Sequence, residues 1–389
     1  MQDFLSRLVK NRIENIACKT PSIIRFPVNI CINDWVKFRT GAFWVKDQKQ
    51  ELKSISQRMF IIESYTSAVI FCVITMICWG SWANTQKLAA GTWRFELFYW
   101  DYVAGILIIA TLMGLTFGSS GDQGRPFLED ISQASLESVG HAMLGGIIFN
   151  AANILLVTAI AVAGMSVAFP VGIGIALVWG VIVNYMDNPV GNSSLLFTGV
   201  ALIVAAIILN AYAYRRNTGR AKGMSVRGLL FSVAAGILMG FFYKYVAASM
   251  FADFTVPQAG KLSPYSAVFF FAAGVFLSNF LFNSIIMKKS VEGSPVYYRQ
   301  YFAGTFRNHL MGMLGGAIWC IGMSCNILAS GQAGPAISYG LGQGATVIAA
   351  IWGIAVWKEF RNAPKGTSLI LNAMLICYMT GLGILIAAR

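Results

Sequence analysis

The chain has 389 residues, of which 57% are hydrophobic and 12% are charged, and its formal net charge is +13. Soluble domains carry about 25% charged residues, so the composition excludes an ordinary soluble domain. The positive charge does not indicate a nucleic-acid partner, because the Lys and Arg residues lie in short connections between apolar runs.

Residues 1–58 differ from the rest of the chain, with 11 Lys or Arg, 5 Asp or Glu and no run long enough to cross a bilayer. Two interpretations are open. The segment is either a basic cytoplasmic or targeting arm, or an over-extended reading frame whose true start is Met59. The distribution of charge along the chain, described below, favours the second interpretation and a non-native extension.

Ten apolar runs follow, each about as long as a helix that crosses a membrane. Backbone groups in lipid must be hydrogen-bonded within their own segment, so the runs predict helices. The predicted spans are 65–85, 97–117, 142–162, 165–185, 195–212, 228–250, 265–287, 310–330, 333–356 and 367–388. The connection 118–141 is acidic and is long enough to hold a surface helix.

The chain contains an internal repeat. A shift of 170 residues aligns 144–146 (Leu-Gly-Gly) with 314–316, and Phe149 with Trp319. A looser match aligns Gly80 with Gly240. Five helices per repeat is an odd number, so the second copy enters the membrane inverted. The sequence therefore predicts an all-α transmembrane fold of ten helices in two inverted five-helix repeats.

The repeat also predicts the domain limits. Residues 59–212 form the first five-helix repeat, 213–227 a basic connecting loop, and 228–389 the second repeat.

The basic residues predict the orientation. Connections after odd-numbered spans hold fourteen Lys or Arg, whereas the other side, without residues 1–58, holds three. The positive-inside rule then puts the fourteen in the cytoplasm and both termini outside. The eleven basic residues before Met59 would lie on the wrong side, which favours a start at Met59. The alternative is that this bias is overridden and the termini are inside.

Two charges lie within predicted spans, where a charge is costly and usually has a function. Asp101 lies about one turn into the second span, and it or nearby Glu96 is the candidate for proton coupling. The alternative for Asp101 is a solvated helix-end charge beside Arg94 and Glu96. Lys244 is an intramembrane charge that could instead reach an interface. An Asp101–Lys244 pair would fit a symmetric centre.

Aromatic and amide side chains are dense in the spans that carry the repeat or open each half. Such groups bind planar or hydroxylated neutral solutes, although they also form interface belts and tie helices together. The candidate substrate-binding residues are Trp79, Trp82, Asn84, Asn150, Trp179, Tyr339, Gln343 and Trp352.

No catalytic residue, metal ligand or cofactor is predicted. The sequence has no Ser/His/Asp set, and its seven Cys residues form no CxxC pair. The two histidines, His141 and His309, are predicted to be interface residues. The GxGxxA pattern at 340–345 lies within an apolar span instead of a βαβ unit, so it indicates close helix packing and not dinucleotide binding.

Three stretches carry a family resemblance: Trp79–Asn84, Gly164–Gly180 and Ala333–Phe360, which reads AGPAISYGLGQGATVIAAIWGIAVWKEF. Over roughly residues 60–389 the chain resembles the drug/metabolite transporter superfamily, and within it the ureide permease and glucose/rhamnose-type sugar transporter group. The resemblance implies ten helices in inverted halves and uptake of ureides, nitrogen heterocycles or sugars, commonly with protons. The connection 213–227 is short and lacks the nucleotide-binding-like motif of plant members, so the chain resembles a bacterial-type member.

The expected protein is thus a secondary transporter that imports a small polar solute with protons by alternating access. We expect it in the bacterial inner membrane, as a monomer or homodimer in the lipid bilayer. The alternatives are an exporter of drugs or metabolites and, from a different class, a membrane-embedded enzyme or scaffold.

Overall fold

The computed structural model describes residues 58–89, 91–163, 165–218, 226–290 and 293–389. Within these ranges it contains ten helices long and apolar enough to cross a membrane, and no β-strand. The predicted all-α transmembrane fold is confirmed. The interpretation of residues 1–58 concerns residues that, apart from Arg58, lie outside the described ranges.

We number the spanning helices α1 to α10. Their bounds are Tyr65–Ser81 continued by Ala83–Ala89 (α1), Phe95–Leu115 (α2), Leu136–Ala163 (α3), Met165–Asp187 (α4), Ser193–Thr218 (α5), Val226–Ser249 (α6), Pro264–Lys288 (α7), Phe306–Ala333 (α8), Pro335–Gly342 continued by Ala345–Ile351 and Trp352–Val356 (α9), and Thr367–Ala387 (α10). Short helices Phe127–Gln133 and Tyr298–Phe302 lie in the connections. The first of them lies within 118–141, the connection that is long enough to hold a surface helix. The limits of the two repeats stay a prediction.

The main contacts between helices are symmetric under exchange of the two halves. Helix α1 packs on α8 and α9, and its counterpart α6 packs on α3 and α4. Helix α2 packs on α8, and α7 packs on α3. The pairs α2–α7, α4–α9 and α5–α10 join each helix to its own counterpart. Replacing every helix by the one five positions away leaves this set of contacts unchanged, as an inverted repeat requires.

The glycines that the repeat aligns lie at equivalent helix crossings. A Cβ atom on Gly146 of α3 would lie 2.1 Å from the carbonyl oxygen of Phe271 in α7. A Cβ atom on Gly316 of α8 would lie 1.9 Å from the carbonyl oxygen of Tyr102 in α2. Only glycine allows such an approach between backbones, so the aligned Gly-Gly sequences maintain the same packing in both halves.

Helices α1 and α9 are interrupted and pack against each other. The first segment of α1 ends at Ser81, and the first segment of α9 ends at Gly342. The last turn of α9, Trp352–Val356, is a π-helix, and Lys358 follows with a φ of 52° in the left-handed region. Interrupted helices and π turns inside a membrane protein are typical of sites that bind a solute.

The connections after odd-numbered helices carry most of the basic residues. We call the side of the molecule on which they lie the basic side, and the other end the opposite side. The chain enters α2, α4, α6, α8 and α10 from the basic side. This geometry fixes which residues share one end of the helix bundle.

Candidate functional site

The centre of the molecule is filled by aromatic side chains from both halves. Phe149 and Trp319, which the repeat aligns, contact each other with ring centroids 4.4 Å apart. Trp79 stacks on Trp319 at 5.7 Å, and Phe271 also stacks on Trp319, at 5.8 Å. Phe242 packs on Phe149 at 5.3 Å. We call these five residues the central aromatic layer, and it closes the molecule where the two halves meet.

Two predicted substrate-binding residues lie close to this layer with their polar atoms hydrogen-bonded to protein. The Tyr339 hydroxyl lies 3.0 Å from the carbonyl oxygen of Ala176 and 3.3 Å from that of Met239, so it ties α9 to α4 and α6. Asn150 accepts a hydrogen bond from Tyr99 at 2.9 Å and donates one to Ser278 at 2.9 Å. In this conformation both side chains connect helices.

A cavity of about 400 Å³ lies at the basic side, between the ends of α1, α5 and α9. We call it the basic-side cavity. It contains the predicted residues Asn84 and Trp352. The other side chains that line it with polar or aromatic groups are Gln86, Lys87, Asn210, Tyr214, Thr346, Trp357 and Glu359. Indole rings and amides face one another there, which suits a planar or hydroxylated solute.

Hydrogen bonds fix the amide and indole groups of this cavity. Trp357 Nε1 donates to Asn84 Oδ1 at 2.6 Å, and Trp352 Nε1 donates to Ser81 Oγ at 2.9 Å. Asn84 Nδ2 in turn donates to the carbonyl oxygen of Ser81 at 2.9 Å. By contrast, Asn210 Oδ1 is buried and accepts no hydrogen bond from the described residues. A buried acceptor without a partner is costly, so a solute donor that reaches it when the cavity opens would be favoured.

An ion pair closes the edge of the basic-side cavity. Lys87 Nζ lies 2.5 Å from Glu359 Oε1 and 4.2 Å from the centre of the Trp357 ring. Tyr214 donates to Glu359 Oε2 at 2.6 Å. Partial burial acts to raise the pKa of Glu359, but the hydrogen bonds from Lys87 and Tyr214 and the charge of Lys87 outweigh it, so this pKa is lower than usual. The Glu359 carboxylate is therefore ionised at neutral pH and balances the charge of Lys87 in this cavity.

A smaller cavity of about 280 Å³ lies at the opposite side, between the ends of α4, α6 and α8 and the start of α9. We call it the opposite-side cavity. Lys244 lines it and forms an ion pair with Asp187 at 2.9 Å. The two side chains are 34% and 45% exposed, so Lys244 reaches an end of the bundle and is not an isolated charge in its centre. The Asp101–Lys244 pair considered above is not formed, because each residue has another partner.

Asp101 lies at the basic side, where the side chains of Tyr301, His309 and Trp93 contact its carboxylate. Its Oδ1 atom accepts a hydrogen bond from Tyr301 at 2.7 Å and lies 2.9 Å from His309 Nδ1. Its Oδ2 atom lies 3.4 Å from Trp93 Nε1. Asp101 is 3% exposed, which does not fit a solvated helix-end charge. Burial and the hydrogen bond to Asp101 raise the pKa of the Tyr301 hydroxyl, so that it remains a donor.

Glu96, the other coupling candidate, is neutralised by a basic neighbour. Its Oε1 atom lies 2.5 Å from Arg94 and accepts a hydrogen bond from Ser290 at 2.9 Å. The arginine also contacts the backbone of Ser294. Glu96 therefore joins the start of α2 to the connection after α7, and it is separate from the Asp101 network.

The remaining predicted residues lie apart from one another. Trp82 packs on Tyr102 with centroids 4.8 Å apart, and Gln343 lies buried at the interruption of α9. Trp179 is 36% exposed and lines an apolar groove of about 830 Å³ between α4, α5 and α6. This position does not bring Trp179 to either polar cavity.

Several residues of the basic-side cavity and of the Asp101 network were not among the predicted site residues. They are Lys87, Asn210, Tyr214, Tyr301, His309, Trp357 and Glu359. Most of them lie in span ends or connections, where hydropathy does not distinguish a site from an ordinary loop. For Lys87 and Glu359, the signal in the sequence was a charge that closely follows the apolar part of α1 and of α9, respectively. Among the described residues, no group of three His, Cys, Asp or Glu is placed to hold a metal ion.

This architecture, with inverted halves, a closed centre and a polar cavity at each end, defines a multi-pass membrane transporter. The chain belongs to the ureide permease family, since the model of the family described as Ureide permease matches residues 98–227 and 220–388. Membership confirms the resemblance and the absence of an enzymatic role, because the relatives are transporters. The chain is accordingly a transporter for small polar solutes.

Individual relatives cover most of the chain. Ureide permease 1 of Arabidopsis thaliana is 22% identical over 386 residues, which is 85% of this chain and 99% of that protein. Ureide permease 5 of the same plant is 22% identical over 400 residues, with coverage of 85% and 96%. A protein of Listeria innocua named "Putative sugar uptake protein" is 25% identical over 268 residues, with coverage of 68% and 85%.

One solved crystal structure has the same fold. It superimposes with a TM-score of 0.55 and 16% sequence identity, covering 84% of this chain and 99% of that chain. At this identity the likeness supports the fold alone.

Proposed function

We propose that the protein is a secondary transporter that imports a small neutral solute, a ureide, a related nitrogen heterocycle or a sugar, by alternating access and with protons. The observation that carries the proposal is the pair of polar cavities at opposite ends of α9. Pro335 at its start lines the opposite-side cavity, Tyr339 is fully buried, and Thr346 and Trp352 line the basic-side cavity. One interrupted helix thus reaches both cavities across the closed centre.

The chemistry of the basic-side cavity supports a neutral polar solute. Its charges are the balanced Lys87–Glu359 pair, while the indoles of Trp352 and Trp357 provide flat apolar faces. The unpaired Asn210 oxygen would accept an N–H or O–H group. Ureides and heterocycles carry both a flat face and N–H donors, and sugars carry hydroxyl groups. The names of the plant and Listeria relatives point to the same two classes of solute.

The Asp101 network supports proton coupling. A buried carboxylate in contact with an imidazole can pass a proton to it, whereas Glu96 is held by Arg94. The network joins α2, α8 and the connection before α8. Protonation of Asp101 would weaken its contacts with Tyr301 and His309, and so would loosen the basic side for movement.

The distribution of charge supports an orientation with the basic side in the cytoplasm, and the resemblance to bacterial-type members supports the bacterial inner membrane. We propose a monomer or homodimer as the working unit.

Uptake into proteoliposomes tests the proposal. Radiolabelled allantoin, uracil, glucose and rhamnose are offered with and without an inward proton gradient. We expect at least one solute to accumulate above empty liposomes, and the gradient to increase its accumulation. We expect Asp101→Asn to abolish the gradient-driven increase, and Glu137→Gln, an exposed carboxylate outside both cavities, to preserve it. No accumulation of any of the four solutes would contradict the solute class, and full gradient-driven uptake by Asp101→Asn would contradict the coupling role.

A further inference from the structure

Two ion pairs between a lysine and a carboxylate join the two halves of the molecule, one at each end. At the basic side, Lys87 of α1 pairs with Glu359 after α9 at 2.5 Å. At the opposite side, Lys244 of α6 pairs with Asp187 of α4 at 2.9 Å. Each pair combines one residue of the first half with one of the second. Both ion pairs therefore resist separation of the halves, but at different ends.

The helices that carry these pairs are exchanged by the inverted repeat. Helices α1 and α9 become α6 and α4 when every helix is replaced by its counterpart, and both helix pairs are in contact. Each pair crosses at an aligned glycine. A Cβ atom on Gly80 would lie 2.5 Å from the carbonyl oxygen of Ala345, and one on Gly240 would lie 2.9 Å from the backbone nitrogen of Gly180.

The lysines follow these glycines on the same helices, Lys87 by seven residues and Lys244 by four. The spacings differ, so the equivalence is one of helix ends and not of single residues. Because the backbones already touch at the glycines, the helices of each pair can separate at an end only by tilting about that crossing. Such a tilt breaks the ion pair at that end.

Each ion pair also lines the cavity at its own end. Lys87 and Glu359 belong to the basic-side cavity, and Lys244 and Asp187 belong to the opposite-side cavity. We propose that Lys87–Glu359 and Lys244–Asp187 are the two gates of the transport cycle, which open in turn to expose the solute path to one side and then the other. This inference rests on the proposed alternating-access function.

The two gates differ in strength. The basic-side gate is braced by Tyr214, by the Trp357 ring and by Asn217, which donates to the backbone oxygen of Glu359 at 2.7 Å. The side chains of Lys244 and Asp187 make no other hydrogen bond with the described residues. Both pairs are partly exposed, so each ion pair contributes little by itself, and the additional contacts strengthen the basic-side gate. The opposite-side gate should therefore open more readily, and loss of the basic-side gate should have the larger effect.

Cysteine labelling tests this inference without any solute. In a background with the native cysteines replaced, Ala349→Cys reports on the basic-side cavity and Ser330→Cys on the opposite-side cavity, and the protein is held in nanodiscs so that a maleimide reaches both ends. We expect Lys87→Glu to raise the labelling rate at Ala349→Cys by about tenfold and to lower the rate at Ser330→Cys. We expect Lys244→Glu to do the reverse, with a rise of about threefold at Ser330→Cys.

Charge exchange and matched controls complete the design. The double variants Lys87→Glu/Glu359→Lys and Lys244→Asp/Asp187→Lys should bring the labelling rates back toward the original values, less completely at the basic side because the exchange removes the contacts with Tyr214 and the Trp357 ring. The controls Lys288→Glu at the basic side and Glu137→Lys at the opposite side change an exposed charge and should leave both rates unchanged. If a charge-reversal variant yields no monodisperse protein, Lys87→Gln or Lys244→Gln replaces it. These neutral variants should change the same labelling rates in the same directions, but by smaller factors.

Unchanged labelling in the single variants, equal rises at both reporters, or no recovery in the double variants would each overturn the gate inference. Because labelling needs no solute, these outcomes are separate from a failure to detect transport. If the labelling responds as expected but none of the four solutes accumulates, the gate inference stands and the proposed solute class is contradicted.

Discussion

At the residue scale, the basic-side cavity has one buried acceptor that the protein does not use. Asn210 Oδ1 receives no hydrogen bond from the described residues, and a solute donor would satisfy it. We predict that Asn210→Leu weakens the apparent affinity for the transported solute by about 2- to 10-fold, the range for one lost hydrogen bond. Thr198→Val, on the same helix but exposed and outside the cavity, is the matched control. Saturation curves of uptake check this, and equal curves for both variants would exclude Asn210 from the site.

The Lys87–Glu359 pair makes stability depend on pH. The pKa of Glu359 is lower in the folded protein than the value of about 4.3 for a free glutamate. Its contribution to stability is therefore present above pH of about 4.3 and is lost as the pH falls through the lower folded value. We predict that Glu359→Gln lowers the melting temperature at pH 7 and that its difference from the wild type shrinks as the pH falls below about 4.

Thermal unfolding in nanodiscs at several pH values measures this difference. Glu129→Gln removes an exposed carboxylate that has no ion partner among the described residues, and should shift the melting temperature by the same small amount throughout. A constant difference for Glu359→Gln from pH 7 to 3.5 would argue against a stabilising ion pair.

Sequence patterns point to single residues of the candidate site better than to the residues that contact them. Asn84 and Trp352 were predicted from their residue types and lie in the basic-side cavity. Asp101 was singled out as a charge at membrane depth, but its contacts with Tyr301 and His309 cross about two hundred positions of the chain. Such partners depend on how helices pack, and no local pattern contains that information.

At the element scale, the aligned glycines allow helices of the two halves to pack with their backbones in contact. We predict that Gly146→Ala lowers the free energy of unfolding by about 1–3 kcal/mol, because the added methyl group would meet the Phe271 carbonyl. Gly140→Ala, in the same helix with open space around it, should leave stability equal or higher by up to about 1 kcal/mol. Unfolding in a mixed detergent series measures both, and equal losses would contradict the packing role.

Hydropathy predicted all ten helices, but it did not predict several of their ends and interruptions. Helix α5 continues to Thr218, although its apolar run ends at 212, because helical hydrogen bonds continue into polar turns outside the membrane. The interruption at Gln343 in α9 is hidden in an apolar run. Hydropathy measures compatibility with lipid, whereas a helix break depends on local backbone geometry and on tertiary contacts.

At the scale of the whole molecule, the repeat in the sequence predicted the symmetry of the fold. Phe149 and Trp319 were aligned by a shift of the chain, and the structure brings them into contact at the centre. The gates and cavities follow from that symmetry but are not visible as repeated residues, since Lys87 and Lys244 differ in register. The symmetry does not determine which solute is bound, because solute binding depends on a few side chains at the cavities.

Orientation in the membrane is a testable property of the whole chain. With the basic side in the cytoplasm, the C-terminal Arg389 lies outside. We predict that alkaline phosphatase fused after Arg389 is active, and that the same fusion after Arg361, in the basic connection between α9 and α10, is inactive. The reverse pattern would place the termini inside, which is the alternative left open by the basic residues before Met59.

We propose that this protein carries a small polar solute through one path that faces each side in turn. Counterflow measures this directly: proteoliposomes loaded with unlabelled allantoin, uracil, glucose or rhamnose are diluted into a trace of the same labelled solute. Because a carrier exchanges solute irrespective of coupling or direction, we predict transient accumulation of label above its outside concentration for at least one solute. Label that only equilibrates for all four solutes, as in protein-free liposomes, would contradict the claim.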